Sequence, residues 1–246
     1  MTGILYIVPT PIGNLADITL RAIEVLRAVP LIAAEDTRTS RRLLEHHGIA
    51  TPMTSYHDFS SPAALDRLTS HLAAGSDLAL ISDAGTPGIN DPSYRLVNGA
   101  IALGIPVVPL PGATSIIPAL VGSGLPTDRF SFLGFVPRKK GRQTFLAELV
   151  ERPETSIFLE SPHRLPDTLA ALAASIPDRR LCVARELSKL HEEFLRLSTR
   201  EMRDHFNANP VRGEFVLLLE GKALASKRQQ AAEAEANRDP RGRMPL

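Results

Sequence analysis

Apolar runs alternate with amphipathic segments through the first half of the chain, and this alternation restricts the fold more than any other feature. Four runs are typical of buried strands: ILYIVP, LIAAED, LALISDAG and PVVPLPG. The segments between them carry apolar residues at helical spacing, as in ITLRAIEVLRAV and PAALDRLTSHLAAG. Strands that alternate with helices favour a parallel sheet with helices on both faces. The first part of the chain is therefore predicted to be an α/β domain.

The alternation of predicted strands and helices changes after the segment SGLPTDRF. Five strand candidates follow with fewer helices between them: FSFLGFVP, TSIFLES, RLCVARE, EEFLRLSTRE and GEFVLLLEG. This pattern predicts a mixed or mostly antiparallel α+β domain. We place the boundary near Gly124, so that residues 1–124 form an N-terminal α/β domain and residues 125–221 a C-terminal α+β domain. Residues 222–246 are basic and contain almost nothing large and apolar, which predicts a solvated helix that ends in a flexible tail.

Composition excludes several classes of protein. The 246-residue chain has 28 basic and 27 acidic side chains, a net charge of +1, so charge alone does not indicate binding to a polyanion. The single cysteine, Cys182, permits neither a disulfide framework nor a thiolate metal site, and we expect no metal and a cytoplasmic protein. The first residues, MTGILYIVPTPIGN, lack the basic start of a signal peptide, and prolines interrupt their apolar run too early for a membrane span.

Small residues follow several strand ends. The chain contains neither a G-x-x-x-x-G-K-[ST] motif nor a G-x-G-x-x-G motif between a strand and a helix, so it lacks the common phosphate-binding loops. It has instead VPTPIGN, SDAGTPG and PLPGATS, which bring backbone groups and the side chains of Thr10, Asp83, Thr114 or Ser115 to one edge of a parallel sheet. Such an edge suits a partly apolar, hydrogen-bonding ligand that is not strongly anionic. Rigid turns without a ligand are the alternative.

Long motifs carry a family resemblance from Tyr6 to Gly221. They are YIVPTPIGNLADITLRA, AAEDTRTSRRLL, ISDAGTPGINDPSYRLV, PLPGATSIIPALVGSGLPTDRFSFLGFVPRKKGRQ, FLESPHRL, VARELSKLHEEF and GEFVLLLEG. Together they resemble the tetrapyrrole methylase superfamily, and within it the bacterial enzymes that methylate the ribose 2'-oxygen of a cytidine in small-subunit (16S) ribosomal RNA. The resemblance implies a two-domain fold, with a mainly parallel N-terminal sheet, a mixed C-terminal domain, and the donor site in the cleft between them.

The resemblance also implies the ligands and partners. The methyl donor would be S-adenosylmethionine, and the substrate would be the small-subunit RNA or the assembled small ribosomal subunit. A homodimer is implied, whereas a membrane or DNA partner is not. The residues that would line the donor site are Pro9, Asp83, Ala84, Gly85, Thr86, Thr114, Ser115, Phe135, Glu160 and Ala184.

The proton of the ribose hydroxyl must leave during or after attack on the methyl group, which requires a proton acceptor. Three residues of these motifs are candidates: Glu160 and His163 in FLESPHR and Asp36 in AAEDTR. Each also has an ordinary structural explanation. Glu160 could hold a backbone amide, His163 could cap a helix, and Asp36 could pair with Arg38, and the sequence does not rank the three.

Two basic segments offer contacts to RNA phosphates. RTSRRLL lies near the start of a predicted helix, and VPRKKGRQ directly follows a predicted strand. A run of charge is more often a solvated face, but the resemblance favours RNA contact. The predicted RNA-binding residues are Arg38, Arg41, Arg42, Arg138, Lys139, Lys140, Arg142 and Arg164.

Two other functions are compatible with the fold. A tetrapyrrole (precorrin-type) C-methyltransferase of the same superfamily would have a similar donor site but little use for the basic loop. A non-catalytic RNA-binding assembly protein would keep the basic residues without transferring a methyl group.

Overall fold

The computed structural model of the chain describes residues 2–57, 59–89 and 93–236, with side chains as far as residue 231. The chain divides into two compact units, Met1–Ser115 (unit 1) and Ile116–Leu246 (unit 2). The division lies before the boundary that we placed near Gly124. The reason is that residues 116–123 form a helix that packs against strands of unit 2.

Unit 1 contains one parallel sheet within its described residues. Its strands are β1 (Leu5–Ile7), β2 (Ile32–Ala34), β3 (Met53–Ser55), β4 (Leu78–Ile81) and β5 (Val107–Pro109). Its helices are α1 (Leu20–Ala28), α2 (Thr37–His46), α3 (Pro62–Ala73) and α4 (Ser93–Ala102), and a short 3-10 helix covers Leu15–Asp17. The strands lie in the order β3-β2-β4-β1-β5 and every pair is parallel, which confirms the predicted α/β architecture.

The sequence analysis missed the edge strand β3. This strand has only three residues, and none of them is fully buried, so it lacks the apolar run by which the other strands are recognised. The loop SDAGTPG therefore follows the fourth strand, β4, and PLPGATS follows the fifth, β5.

Helices cover both faces of this sheet. Leu26 of α1 and Leu44 of α2 pack in one apolar cluster, whereas Leu72 of α3 and Leu96 of α4 pack in another. From β1 the chain proceeds towards β2 and β3, and from β4 it proceeds in the opposite direction to β5. The neighbouring strands β1 and β4 thus form a topological switch point, where a crevice opens at the carboxyl ends of the strands.

Unit 2 is built on a mixed sheet. Its strands are β6 (Phe130–Phe135), β7 (Thr155–Glu160), β8 (Arg180–Arg185), β9 (Glu193–Ser198) and β10 (Phe215–Leu219). Its helices are α5 (Ile116–Ser123), α6 (Arg142–Glu151), α7 (Leu165–Ser175), α8 (Thr199–Ala208) and α9 (Lys222–Ala236). The strand order is β6-β7-β10-β8-β9, and among the described residues of this second sheet only β6 and β7 pair in parallel, whereas the other pairs are antiparallel. The predicted mixed α+β architecture and its five strands are confirmed.

The solvated helix predicted after Gly221 is present as α9, and ion pairs fix its first half. Lys222 forms an ion pair with Glu151, and the guanidinium of Arg228 lies 3.0 Å from the buried carboxylate of Glu220. These pairs attach the first half of α9 to unit 2, because a buried carboxylate requires a cation or hydrogen-bond donors nearby. The rest of the predicted tail, residues 237–246, lies outside the described residues. Within the part of the chain that is described, no helix is long and apolar enough to cross a membrane.

Candidate functional site

Three loops are joined at the carboxyl edge of the unit 1 sheet. Thr10 and Gly85 exchange two backbone hydrogen bonds of 2.9 Å, and the hydroxyl of Thr10 donates to the carbonyl of Ser82 at 3.0 Å. The hydroxyl of Thr86 donates to the carbonyl of Ala113 at 2.9 Å. The loops that follow β1, β4 and β5 therefore form one connected surface at the switch point.

Two glycines are required for this connection. Gly85 has a φ of +80°, a left-handed conformation that other residues adopt only with strain. A Cβ atom at Gly112 would lie 2.6 Å from Cβ of Pro9, so only glycine allows the first and third loops to approach this closely. Gly112 was not among the predicted site residues, although the pair Pro-Gly in PLPGATS marks it as a turn.

Carboxylates gather beside these loops. Asp83 is exposed at the end of β4, and its backbone N–H donates to Oε2 of Glu35 at 3.3 Å. The backbone N–H of Asp36 in turn donates to Oδ1 of Asp83 at 3.1 Å. These bonds tie the ends of β2 and β4 together. Sequence reasoning missed Glu35, for which the only signal is its place directly after the strand in AAED.

The side chain of Asp36 caps the N-terminus of helix α2. Its carboxylate accepts from the backbone N–H of Arg38 at 2.8 Å and pairs with the Arg38 guanidinium at 2.7 Å. The hydrogen bond from the Arg38 side chain is the main reason that the pKa of Asp36 falls from 3.8 to about 2. A carboxylate with such a low pKa takes up a proton poorly, which argues against Asp36 as the base. The alternative of an Asp36–Arg38 pair is confirmed.

Glu160 lies at the end of β7 with its side chain fully buried. Oε1 pairs with Arg164 at 2.7 Å and accepts from the backbone N–H of Ser161 at 2.8 Å. Oε2 pairs with Arg142 at 3.3 Å and accepts from the hydroxyl of Thr168 at 2.7 Å. Both oxygens are occupied, which argues against Glu160 as the base, and the alternative in which it holds a backbone amide is confirmed.

The same cluster accounts for two of the predicted RNA-binding residues. The side chains of Arg142 and Arg164 are only 19% and 23% exposed, and both are paired with Glu160. Arg164 also donates to the carbonyl of Val136 at 2.8 Å. Their charges are thus used inside unit 2, which argues against the phosphate contacts that we predicted for them.

The other predicted cations are at the surface. Arg138, Lys139 and Lys140 are exposed on the turn between β6 and α6, residues 136–141, which we call the basic turn. Arg41 and Arg42 are exposed on α2, as is Arg38 beside its carboxylate partner.

His163 is exposed in the turn before α7. The N-cap of that helix is Arg164, and no side chain caps it, so the capping explanation for His163 is wrong. Of the three candidate bases, His163 is the only one without a hydrogen bond or ion pair among the described residues.

The predicted donor-site residues fall into two groups. Phe135 is exposed at the end of β6, Glu160 is buried at the end of β7, and Ala184 is buried within β8, all three in unit 2. The loops at the carboxyl edge of unit 1 contain Pro9, Asp83, Ala84, Gly85, Thr86, Thr114 and Ser115. Within the described residues, no group of three His, Cys, Asp or Glu side chains is placed to hold a metal ion.

Comparison with known proteins gives consistent relationships. The family model for tetrapyrrole (corrin/porphyrin) methylases matches residues 4–203. A protein of Synechocystis named ribosomal RNA small subunit methyltransferase I is 49% identical over 221 residues, 89% of this chain and 79% of the relative. The protein of the same name from Halalkalibacterium halodurans is 48% identical over 220 residues, 89% of this chain and 76% of the relative. Among solved structures, diphthine synthase has the same fold at 15% identity, with a TM-score of 0.68 over 89% of this chain and 90% of that chain.

Proposed function

Because the chain belongs to the tetrapyrrole methylase family, we propose that it transfers a methyl group from S-adenosylmethionine to the ribose 2'-oxygen of a cytidine in small-subunit (16S) ribosomal RNA. The observation that carries this proposal is the relationship to proteins named ribosomal RNA small subunit methyltransferase I, at 48–49% identity over 89% of the chain. The specific nucleotide and the 2'-oxygen follow from the sequence resemblance described above.

The loops of unit 1 suit the donor chemically. S-adenosylmethionine supplies a methyl group on a positively charged sulfur, and it carries no phosphate. The left-handed Gly85 leaves the main chain open to close approach by a ligand, and the exposed carboxylate of Asp83 favours a cation nearby. We assign donor binding to these two residues with Pro9, Ala84, Thr86, Thr114 and Ser115. The donor contacts of Phe135, Glu160 and Ala184 stay predictions.

Positioning of the two reactants supplies most of the catalysis in this proposal, since the donor methyl group is already activated. Glu160 and Asp36 are both occupied by arginines, so neither takes the hydroxyl proton. The remaining candidate is His163, which is exposed and, among the described residues, has no hydrogen bond to another group. Histidine is the side chain that most often serves as a general base in enzymes.

RNA contact is assigned to the exposed cations of the basic turn and of α2. Three adjacent cations on one turn form a local positive patch on a chain whose net charge is only +1. We include Arg38, Arg41, Arg42, Arg138, Lys139 and Lys140 in this assignment. The homodimer and the cytoplasmic location also belong to the proposal, and sedimentation equilibrium tests the dimer.

A methyl-transfer assay tests the proposal. Small ribosomal subunits from cells that lack this gene are incubated with the protein and S-adenosylmethionine carrying a labelled methyl group, and a precorrin-type macrocycle is the competing substrate. We expect label in the RNA and a primer-extension stop at one cytidine. Label in the macrocycle alone would favour a C-methyltransferase, and RNA binding without any transfer would favour an assembly protein.

A further inference from the structure

A pocket of about 180 Å³ opens within unit 1, beside the loops just described. Its walls are formed by the segment after β1, the first turns of α2 and the end of β4. The lining includes the apolar residues Leu15 and Leu43 and the hydroxyl-bearing residues Thr39 and Ser40. Asp83 lines this pocket and also belongs to the loop that we assign to the methyl donor, so the pocket lies next to the proposed donor loop.

Ser40, one of the lining residues, has a buried hydroxyl without a hydrogen-bond partner among the described residues. The residue is 4% exposed. A serine inside a helix commonly bonds the carbonyl four residues earlier, but here that carbonyl, on Asp36, receives only the backbone N–H of Ser40. Buried polar groups are nearly always paired, so an unpaired hydroxyl on a residue that lines a cavity indicates a ligand group that completes it.

The size of the pocket restricts the ligand. Its volume of about 180 Å³ suits one flat single ring. The rim carries the exposed Arg42, a cation suited to a phosphate. A pocket lined by apolar residues, by Ser40 with its unpaired hydroxyl and by the exposed cation of Arg42 matches a nucleotide with a single-ring base.

We propose that this pocket holds the pyrimidine base of the target nucleotide, turned out of the RNA stack, with Ser40 hydrogen-bonded to the edge of the base and Arg42 beside the adjoining phosphate. Enzymes that modify nucleotides commonly extrude the target and read its base in a fitted pocket. Ser40 is then a binding residue that fixes the nucleotide next to the donor loop. This inference rests on the proposed RNA methylation.

Removal of the hydroxyl tests the inference directly. In Ser40→Ala, kcat/KM for small ribosomal subunits should fall roughly 2- to 10-fold, the effect of one lost hydrogen bond. The melting temperature should not fall, because the hydroxyl has no partner in the described protein, and calorimetric affinity for S-adenosylmethionine should be unchanged. The matched control is Ser156→Ala on β7, which removes the other buried serine hydroxyl without a partner among the described residues, and Ser156 is not one of the residues that line the pocket. It should leave kcat/KM unchanged.

A blocking variant provides a second test that does not depend on one hydrogen bond. Thr39 lines the pocket and is exposed, so the indole of Thr39→Trp should fill the pocket opening. The fold and the donor affinity should be preserved. The value of kcat/KM should fall about 100-fold, the usual effect of misplacing a reacting group. Glu45→Trp places the same side chain on an exposed part of α2 outside the pocket and should be active.

The outcomes separate this inference from the proposed function. If the unaltered protein does not methylate RNA, both the proposed function and the proposed base pocket are wrong. If the unaltered protein is active and both Ser40→Ala and Thr39→Trp methylate RNA at its rate, only the base pocket is overturned.

Discussion

Arg164 holds Glu160 in unit 2 through a 2.7 Å contact between its Nη2 atom and Oε1 of the carboxylate. The same arginine donates to the carbonyl of Val136, the first residue of the basic turn. Arg142, the first residue of α6 directly after that turn, pairs with the other carboxylate oxygen. One buried acid therefore anchors both ends of the segment that presents Lys139 and Lys140. The pairing of this carboxylate with the two arginines therefore stabilises the part of unit 2 around the basic turn.

Neutralising this acid should destabilise the protein. In Glu160→Gln the two arginines lose their counterion, and the free energy of unfolding should fall by about 3 kcal/mol, as measured in urea. Asp204→Asn is the control: it disrupts the exposed Arg203–Asp204 pair, and its effect should stay within about 0.5 kcal/mol. A Glu160→Gln protein as stable as the unaltered one would show that the cluster is not a structural anchor.

Gly85→Ala should weaken donor binding. The φ of +80° at this position means that any side chain there costs about 1–2 kcal/mol of stability. We expect S-adenosylmethionine affinity to fall about tenfold by calorimetry, equivalent to 1.4 kcal/mol. Gly104→Ala introduces similar strain at φ +68°, with no atom within 4 Å of the added Cβ, and should retain donor affinity. Equal donor affinity in the two variants would place the donor elsewhere.

Charge reversal in the basic turn should weaken RNA binding without affecting donor binding or stability. Lys139→Glu with Lys140→Glu should weaken binding to the small subunit and lower the log-log salt slope by about 0.7–0.9 per lost phosphate contact. Arg142 is excluded from this variant because its loss would disturb Glu160. Donor affinity and melting temperature should not change. The control, Arg21→Glu with Arg67→Glu, alters net charge equally on exposed parts of α1 and α3. If both double variants lose RNA affinity to the same extent, the turn has no specific role.

Truncation should distinguish the two halves of the C-terminal segment. Removal of everything after Gly221 deletes Arg228 and leaves the buried carboxylate of Glu220 with the 3.3 Å backbone N–H of Arg180, which should cost about 1–3 kcal/mol of stability. This reverses the small effect expected from sequence alone. Truncation after Ala231 retains Arg228 and should unfold at nearly the original temperature. Equal melting of the two truncated proteins would contradict a stabilising role for Arg228.

The thiol of Cys182 should be inert in the folded protein. Burial raises its pKa from 9.0 to about 11, and the charge of Arg196 opposes this only in part. The thiol is therefore protonated at pH 8 and should react with a thiol reagent only after unfolding. Because the folded pKa is the higher one, the associated stability is fully present below pH 9.0 and is lost as the pH rises through about 11. Rapid labelling at pH 8 without denaturant would contradict this.

Local patterns in the sequence were sufficient for the elements and their architecture. Apolar runs of four or more residues identify strands such as β4 and β10 because burial on both faces requires continuous apolar side chains. The loops of small residues after β1, β4 and β5 indicated the ligand-bearing edge, since the carboxyl ends of parallel strands share one side of a sheet. β3 was not predicted, because a short edge strand needs little apolar surface and its sequence therefore has no apolar run.

Tertiary structure decided what each charged or polar side chain does. A sequence shows that Glu160, Arg142 and Arg164 are charged, but only packing brings the two arginines to one buried carboxylate. This pairing argues against Glu160 as the base and against phosphate contacts by the two arginines. Likewise, nothing in RTSRRLL distinguishes Ser40 from its neighbours until α2 packs on the sheet and buries its hydroxyl beside a cavity. Periodicity is a property of neighbours along the chain, whereas burial and pairing depend on residues that are distant in sequence, and the function of a polar group follows from these.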